Sequence, residues 1–261
     1  MMISRIPGVT HTLAVASGKG GVGKTTVAVN LALALAQTGL SVGLFDADLY
    51  GPNVPLMLGV QRKKSIRGWV PVVRADRVPY IKPLERFGLK VMSIGFVMGD
   101  NDAVVPDPVY AGHIIRQTLQ DTMWGALDYL LVDFPPGSGE PQQTLLRTIH
   151  LDGALIVTTP QDLSLMDASR SLGLFRQMGV TVLGAVENMS YLTCPHCGEA
   201  VEVFHRSERR WAIESQSIDL LARIPISHTL SRGIGSDHLP DSPETAPFHA
   251  LAANVIQKLS T

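Results

Sequence analysis

The chain has 261 residues, enough to bury a full core and few enough for a single α/β unit, and its apolar content of 45% is that of an ordinary soluble protein. Its 22 lysines and arginines nearly balance 23 aspartates and glutamates, so no whole-molecule field draws it to nucleic acid or to an anionic membrane; residues 205–210 are a candidate local basic patch. The whole thiol complement is two cysteines spaced Cys-Pro-His-Cys, which in a reducing compartment reads as metal binding or redox chemistry rather than a structural disulfide, and the cytoplasm is the default location.

The first apolar run, 13–16, is too short for a secretory leader and belongs to a strand predicted over 12–17. A glycine loop follows, then a helix over 25–37. Its apolar stretch 31–36 is interrupted by Asn30 and Gln37, so no membrane span is expected. Strands follow over 42–46 and 89–94, separated by an aperiodic segment, 59–83, rich in Arg, Lys, Pro and Val and expected to form a β-like excursion or a mobile loop. A helix over 109–123 contains Gly112, an awkward residue for a helix interior. Next come a strand over 129–133, a helix over 142–148, a strand over 154–158, a helix over 164–178 and a strand over 182–187. The cysteines and a charged run occupy 191–210, before a last strand over 220–224 and a last helix over 248–258. Short apolar runs alternating with amphipathic ones predict a doubly wound, mostly parallel sheet covered on both faces. The expectation is one domain over 1–261 with the cysteine segment as an insertion.

Gly18-Lys19-Gly20-Gly21-Val22-Gly23-Lys24-Thr25-Thr26 sits between the first strand and the first helix. Glycines there let successive backbone N–H groups point inward, which makes an anion nest at a helix N-terminus. In this context the pattern is a phosphate-binding loop: Lys24 faces the β- and γ-phosphates of ATP, and the Thr25 hydroxyl is placed to bind Mg²⁺. Asp46 and Asp48 end the second strand, where carboxylates face the ligand crevice. Asp48 is the candidate for orienting the attacking water, with Asp46 nearer the metal shell. Asp133 ends an apolar strand, an arrangement that holds Mg²⁺ through water, and Phe134-Pro135-Pro136-Gly137 follows as a candidate switch loop.

Cys194 and Cys197 supply thiolates, which suit iron–sulfur clusters and zinc, and either metal wants four ligands. One chain offers two. A symmetric dimer that joins two pairs satisfies the count. Structural zinc and a redox disulfide stay open as alternatives, and His196 could act as a ligand.

The loop resembles the deviant Walker A signature of the MinD/ParA/Mrp/nitrogenase-iron-protein class of P-loop ATPases, whose extra lysine, here Lys19, reaches across a dimer to the partner's nucleotide. Asp46-Ala47-Asp48-Leu49-Tyr50-Gly51-Pro52, Met92-Ser93-Ile94-Gly95-Phe96, Val157-Thr158-Thr159-Pro160-Gln161-Asp162 and Glu187-Asn188-Met189-Ser190-Tyr191 then occur in order, followed by the cysteine pair. This succession resembles the Mrp/ApbC/Nbp-type branch over nearly the whole chain. The resemblance implies a slow, homodimeric ATPase that carries a 4Fe-4S cluster to apo iron–sulfur proteins, with zinc as a possible substitute. It further implies that Asn188 and the backbone around Pro225 contact adenine. The chain departs from the branch after the cysteines, where Val203 to Arg210 replaces a glycine-rich run. It also departs at Glu140, where Asp is usual, and at Pro106-Asp107-Pro108, where Arg-Gly-Pro is usual. A MinD/ParA-like positioning ATPase is the rival, disfavoured by a final helix with one lysine; a small-molecule kinase is a third reading, disfavoured by Lys19.

Overall fold

The structure, a computed structural model, describes residues 3–60, 72–73, 79–96, 108–204, 218–231 and 244–260. In chain order the elements are β1 (Val9–Ser17), α1 (Lys24–Gln37), β2 (Val42–Asp46), α2 (Val54–Met57), β3 (Val72–Val73), β4 (Pro79–Tyr80), β5 (Leu84–Arg86), β6 (Leu89–Ser93), α3 (Pro108–Asp121), β7 (Leu127–Asp133), α4 (Glu140–Thr148), β8 (Gly153–Thr158), α5 (Asp162–Gln177), β9 (Val182–Glu187), β10 (Leu192–Thr193), β11 (Ala200–Val201), β12 (Leu220–Arg223), α6 (His228–Ser231) and α7 (Ala246–Leu259).

Eight strands form one sheet in the order β12-β9-β8-β1-β7-β2-β6-β5. Every neighbouring pair is parallel except β5 with β6. Strand side chains alternate between the faces. In β1, Leu13 and Val15 enter the core beneath α1 and α7, while Ala14 and Ala16 enter the core beneath α3, α4 and α5. Both faces are therefore dry, which is why these strands read as unbroken apolar runs rather than as alternating ones. α1 is buried along most of its length, from Val27 to Leu35. Each leucine fully buried there contributes about 2 kcal/mol relative to exposure, which anchors the loop that precedes the helix. Gly112 belongs in its helix because α3 and α4 approach closely. A Cβ there would stand 2.7 Å from the Thr144 side chain.

The expected doubly wound sheet is present. β1 begins three residues earlier than expected, as Val9 and His11 pair with Leu127 and Tyr129 of β7. Within the aperiodic segment the described residues form short antiparallel pairings, β3 with β4 and β5 with β6. Its remainder, the basic run 205–210 and residues 106–107 lie outside the described residues.

The winding reverses at β1. The chain leaves β1 for β2 and β6, returns to β7 on the same side of β1, then crosses to β8 on the other side. A crevice opens outside the carboxyl ends of strands at such a reversal. In register there, Val15 of β1 faces Asp133 of β7, and Asp133 faces Asp46 of β2.

Candidate functional site: a phosphate loop beside a cysteine hairpin

Residues 18–23 leave the end of β1 and turn into α1. Two glycines here are required by contact. A Cβ on Gly18 would lie 2.1 Å from the Asp167 carbonyl of α5, and one on Gly23 would lie 2.1 Å from Asn188 Nδ2. Gly21 and Gly23 also take left-handed backbone, with φ of 80° and 82°. Gly23 caps α1 without any side-chain hydrogen bond, so the first-turn N–H groups stay directed at the loop. The loop lines an open cleft of about 340 Å³ whose walls include Lys19, Gly20, Lys24, Thr25, Thr26 and Asp48.

The chemistry lies at the floor. Lys24 Nζ sits 2.5 Å from Asp133 Oδ1, and both side chains are buried. Thr25 Oγ1 donates to Asp133 Oδ2 at 2.7 Å. One carboxylate thus holds both the lysine expected to face phosphate and the hydroxyl expected to bind Mg²⁺. Asp48 lies on the cleft wall and accepts from the Gly51 N–H at 3.2 Å. Burial raises its pKa; Lys24 pulls the other way, and Asp133 adds repulsion. A carboxylate held this way is a better base than a free one.

Asp46, expected nearer the metal shell than Asp48, pairs in register with Asp133 of β7. It is fully buried and does not line the cleft. Its Oδ1 accepts from the Asp48 N–H at 3.1 Å, and its Oδ2 accepts from the Val54 N–H at 3.2 Å and Ser93 Oγ at 3.0 Å. These bonds fold the loop that presents Asp48. Burial, then repulsion from Asp133, pushes the Asp46 carboxyl up to about 7, with Lys24, Ser93 and the Asp48 N–H offsetting part of the rise.

The segment after β7 bonds back to β1, Phe134 N–H to the Val15 carbonyl at 3.0 Å and Gly137 N–H to the Ser17 carbonyl at 3.1 Å. Pro136 reaches the cleft. Glu140 opens α4 and turns along its own helix, accepting from Thr144 Oγ1 at 3.3 Å. Lys19 lines the cleft mouth, and no carboxylate among the described residues lies within ion-pair distance of it. Asn188 donates from Nδ2 to the Val22 carbonyl at 2.8 Å, behind the loop. Pro225 is buried in a segment that runs beside it, with Ile224 N–H on the Glu187 carbonyl at 2.9 Å and Ile226 N–H on the Tyr191 carbonyl at 2.7 Å. Met189 lines the cleft in left-handed backbone, φ 54°, and sequence reasoning did not single it out.

The cysteines cap the hairpin of β10 and β11. Cys194 N–H donates to the Glu199 carbonyl at 2.8 Å, and Gly198 N–H donates to the Cys194 carbonyl at 2.9 Å, with Gly198 at φ 77°. Cys194 is half-buried and Cys197 exposed. Backbone N–H groups of Cys197 and His196 point at the Cys194 sulfur, and together with the Cys197 side chain they lower its pKa. A turn of this shape favours thiolate, the form that binds metal. His196 is exposed, and among the described residues no set of three or more His, Cys, Asp or Glu side chains is grouped to hold a metal. His205, another nitrogen donor near in sequence, lies outside the described residues.

Comparison with known proteins agrees with the fold. A protein of Synechocystis named iron-sulfur cluster carrier protein is 44% identical over 249 residues, 94% of this chain and 69% of that protein. The solved nucleotide-binding protein of Archaeoglobus fulgidus, in complex with ADP and with cobalt found, is 32% identical, with a TM-score of 0.72 over 95% of this chain and 90% of that one. The cell division ATPase MinD of Pyrococcus furiosus superposes with a TM-score of 0.64 at 26% identity, covering 95% and 99%. The profile of the NUBPL iron-transfer P-loop NTPases, of ParA type, matches residues 8–259, and the chain belongs to that family.

Proposed function

We propose that this chain is a homodimeric, ATP-hydrolysing carrier that holds an iron–sulfur cluster between two subunits and passes it to apo iron–sulfur proteins. The observation that carries the reading is the cysteine hairpin: two preorganised thiols, one of them exposed, with no third ligand grouped beside them among the described residues. A second copy supplies the missing pair, and a bridging four-thiolate site matches the coordination that a 4Fe-4S cluster or zinc requires. The names of the relatives and the family description favour iron–sulfur cargo.

ATP enters at the glycine loop. The N–H groups of residues 20–25 and the Lys24 ammonium neutralise its β- and γ-phosphates, and Thr25 with Asp133 would hold Mg²⁺, whose charge offsets that of the phosphates. Asn188 and the backbone around Pro225 contact adenine in this reading. Asp48 orients the water that attacks the γ-phosphorus, yielding ADP and phosphate. Lys19 reaches the nucleotide of the partner subunit, so ATP favours the closed dimer and hydrolysis releases it. Turnover is slow, as suits a switch. Cluster transfer exchanges one set of thiolates for another and needs no change of oxidation state.

A MinD-like output on a membrane fits less well. The apolar side of α7, with Phe248, Leu251, Ala252 and Val255, is buried against the sheet, and no described helix is long and apolar enough to cross a membrane.

The test is selective. Cys194→Ser or Cys197→Ser should abolish binding of iron and sulfide on anaerobic reconstitution while ATP affinity stays at the parent value. Retention of a full cluster by both variants would move the cargo site elsewhere.

A further inference from the structure

The nucleotide cleft and the cysteine hairpin are joined by a short, unusual piece of chain. Met189 forms part of the cleft wall, and Leu192 begins β10 just before Cys194. Met189 holds a left-handed backbone, a region non-glycine residues seldom enter. Such a residue is held in that region by its surroundings, so a ligand against the cleft wall acts on it directly. Its two neighbours are both tied. Asn188 is bound to the Val22 carbonyl of the phosphate loop, and Ser190 Oγ donates to buried Glu187 Oε1 at 2.5 Å.

Arg223, on the edge strand β12, gathers the far side of that turn. Its Nε donates to Ser190 Oγ at 2.8 Å and lies 3.4 Å from Glu187 Oε1. Its terminal nitrogen donates to Glu202 Oε1 at 3.2 Å, one residue beyond β11 of the hairpin. The guanidinium also stands 5.7 Å from the centre of the Tyr191 ring. A planar guanidinium presents its donors along fixed, separate edges, so one side chain meets Ser190 and Glu187 on one edge and Glu202 on another. The hairpin has a backbone tie on the same side, since Leu192 bridges to Ile226.

We propose that Arg223 is a positioning residue that couples the nucleotide cleft to the cysteine hairpin, through Ser190 and Glu187 at one end and Glu202 at the other. The proposal rests on the carrier reading above, and it names the device by which that site is regulated. Nucleotide against Met189 shifts the turn, Ser190 shifts with it, and Arg223 transmits the movement to the strand that follows the cysteines. The two thiols then differ in accessibility between nucleotide states, which ties cargo release to hydrolysis.

The test uses the metal-free full chain, so it is independent of whether the cargo is a cluster. The rate of iodoacetamide alkylation at Cys194 and Cys197 is followed by mass spectrometry without nucleotide, with Mg·ADP and with a non-hydrolysable ATP analogue. Nucleotide should change the parent rate by about 5-fold, the lower range of ordinary coupling. Arg223→Met and Glu202→Gln should each reduce that change to under about 2-fold, with nucleotide affinity and the nucleotide-free rate unaltered. Should Arg223→Met fail to fold, Glu202→Gln decides, because it alters a half-exposed pair and leaves Arg223 on Glu187. A parent rate indifferent to nucleotide, or a full response in the variants, overturns the proposal. So does loss of nucleotide binding in Glu202→Gln, which would make the network part of the cleft itself. None of these outcomes bears on cluster binding, which reconstitution of the cysteine variants tests separately.

Discussion

The phosphate loop and the cysteine hairpin bind their ligands by opposite strategies. Around the loop the buried polar groups hold one another: Lys24 and Thr25 share Asp133, and Asp46 is enclosed by two N–H groups and Ser93. The glycines at 18 and 23 leave no room for a side chain. The hairpin has two pairs of residues in its ladder, an exposed cysteine and no grouped third ligand among the described residues. A site that must do chemistry on a fixed geometry is built from buried, mutually satisfied groups. An exposed pair of thiols with no grouped third ligand is the arrangement that the proposed bridging dimer requires.

Lys24→Ala should produce the largest effect, because it strikes the self-contained site twice. ATP loses its main counter-ion, so hydrolysis should fall by about 100-fold or more. Two buried carboxylates lose their cation, so stability measured by urea unfolding should fall by about 3 kcal/mol or more. Unchanged hydrolysis in this variant would remove the loop from the account. Asp48→Asn should keep ATP binding and slow single-turnover hydrolysis by about 100-fold, since the base is lost but the cradle is intact. A normal rate would place water orientation on another residue. Lys19→Ala should leave ATP binding to the monomer unchanged and weaken dimerisation with a non-hydrolysable analogue by about 10-fold, read by sedimentation. Equal dimer fractions would contradict a lysine acting across the interface.

A pH series sharpens the electrostatics of the buried site. Asp46 titrates at about 7 in the folded chain against 3.8 for an ordinary carboxyl. Between those values the folded state binds the extra proton, so this group makes stability fall as pH rises through that window and then level off. The slope contributed is at most about 1.4 kcal/mol per pH unit. Asp46→Asn should flatten the dependence of unfolding free energy on pH between 5 and 7 relative to the parent. An identical slope in the two proteins would assign the proton to another group.

The two regions were unequally legible. The sheet and the loop are written in local pattern: apolar runs at strand length, and a glycine loop between a strand and a helix. That pattern located Lys24, Thr25 and Asp133, and their side chains meet in the structure. Asp46 and Asp48 look alike in sequence. Only the packing of Ser93 and the Val54 N–H, distant along the chain, separates the buried organiser from the cleft carboxylate. The cysteine spacing was legible, but the strands β10 and β11 are two residues each and carry no period; their turn is set by Gly198 and the N–H groups around Cys194. Arg223 is invisible to pattern. Its partners come from two segments, around 187–190 and at 202, that only the fold brings to it.

The contrast between a complete site and a half site is tested most directly by stoichiometry. Protein reconstituted anaerobically with iron and sulfide is analysed for iron, sulfide and zinc, and its mass is determined by sedimentation in the same sample. The account predicts one four-iron cluster per two chains, in a dimer that loosens when the metal is removed. A cluster or zinc ion bound stoichiometrically to each monomer would contradict it, because the two thiols of one chain would then have found their remaining ligands at home.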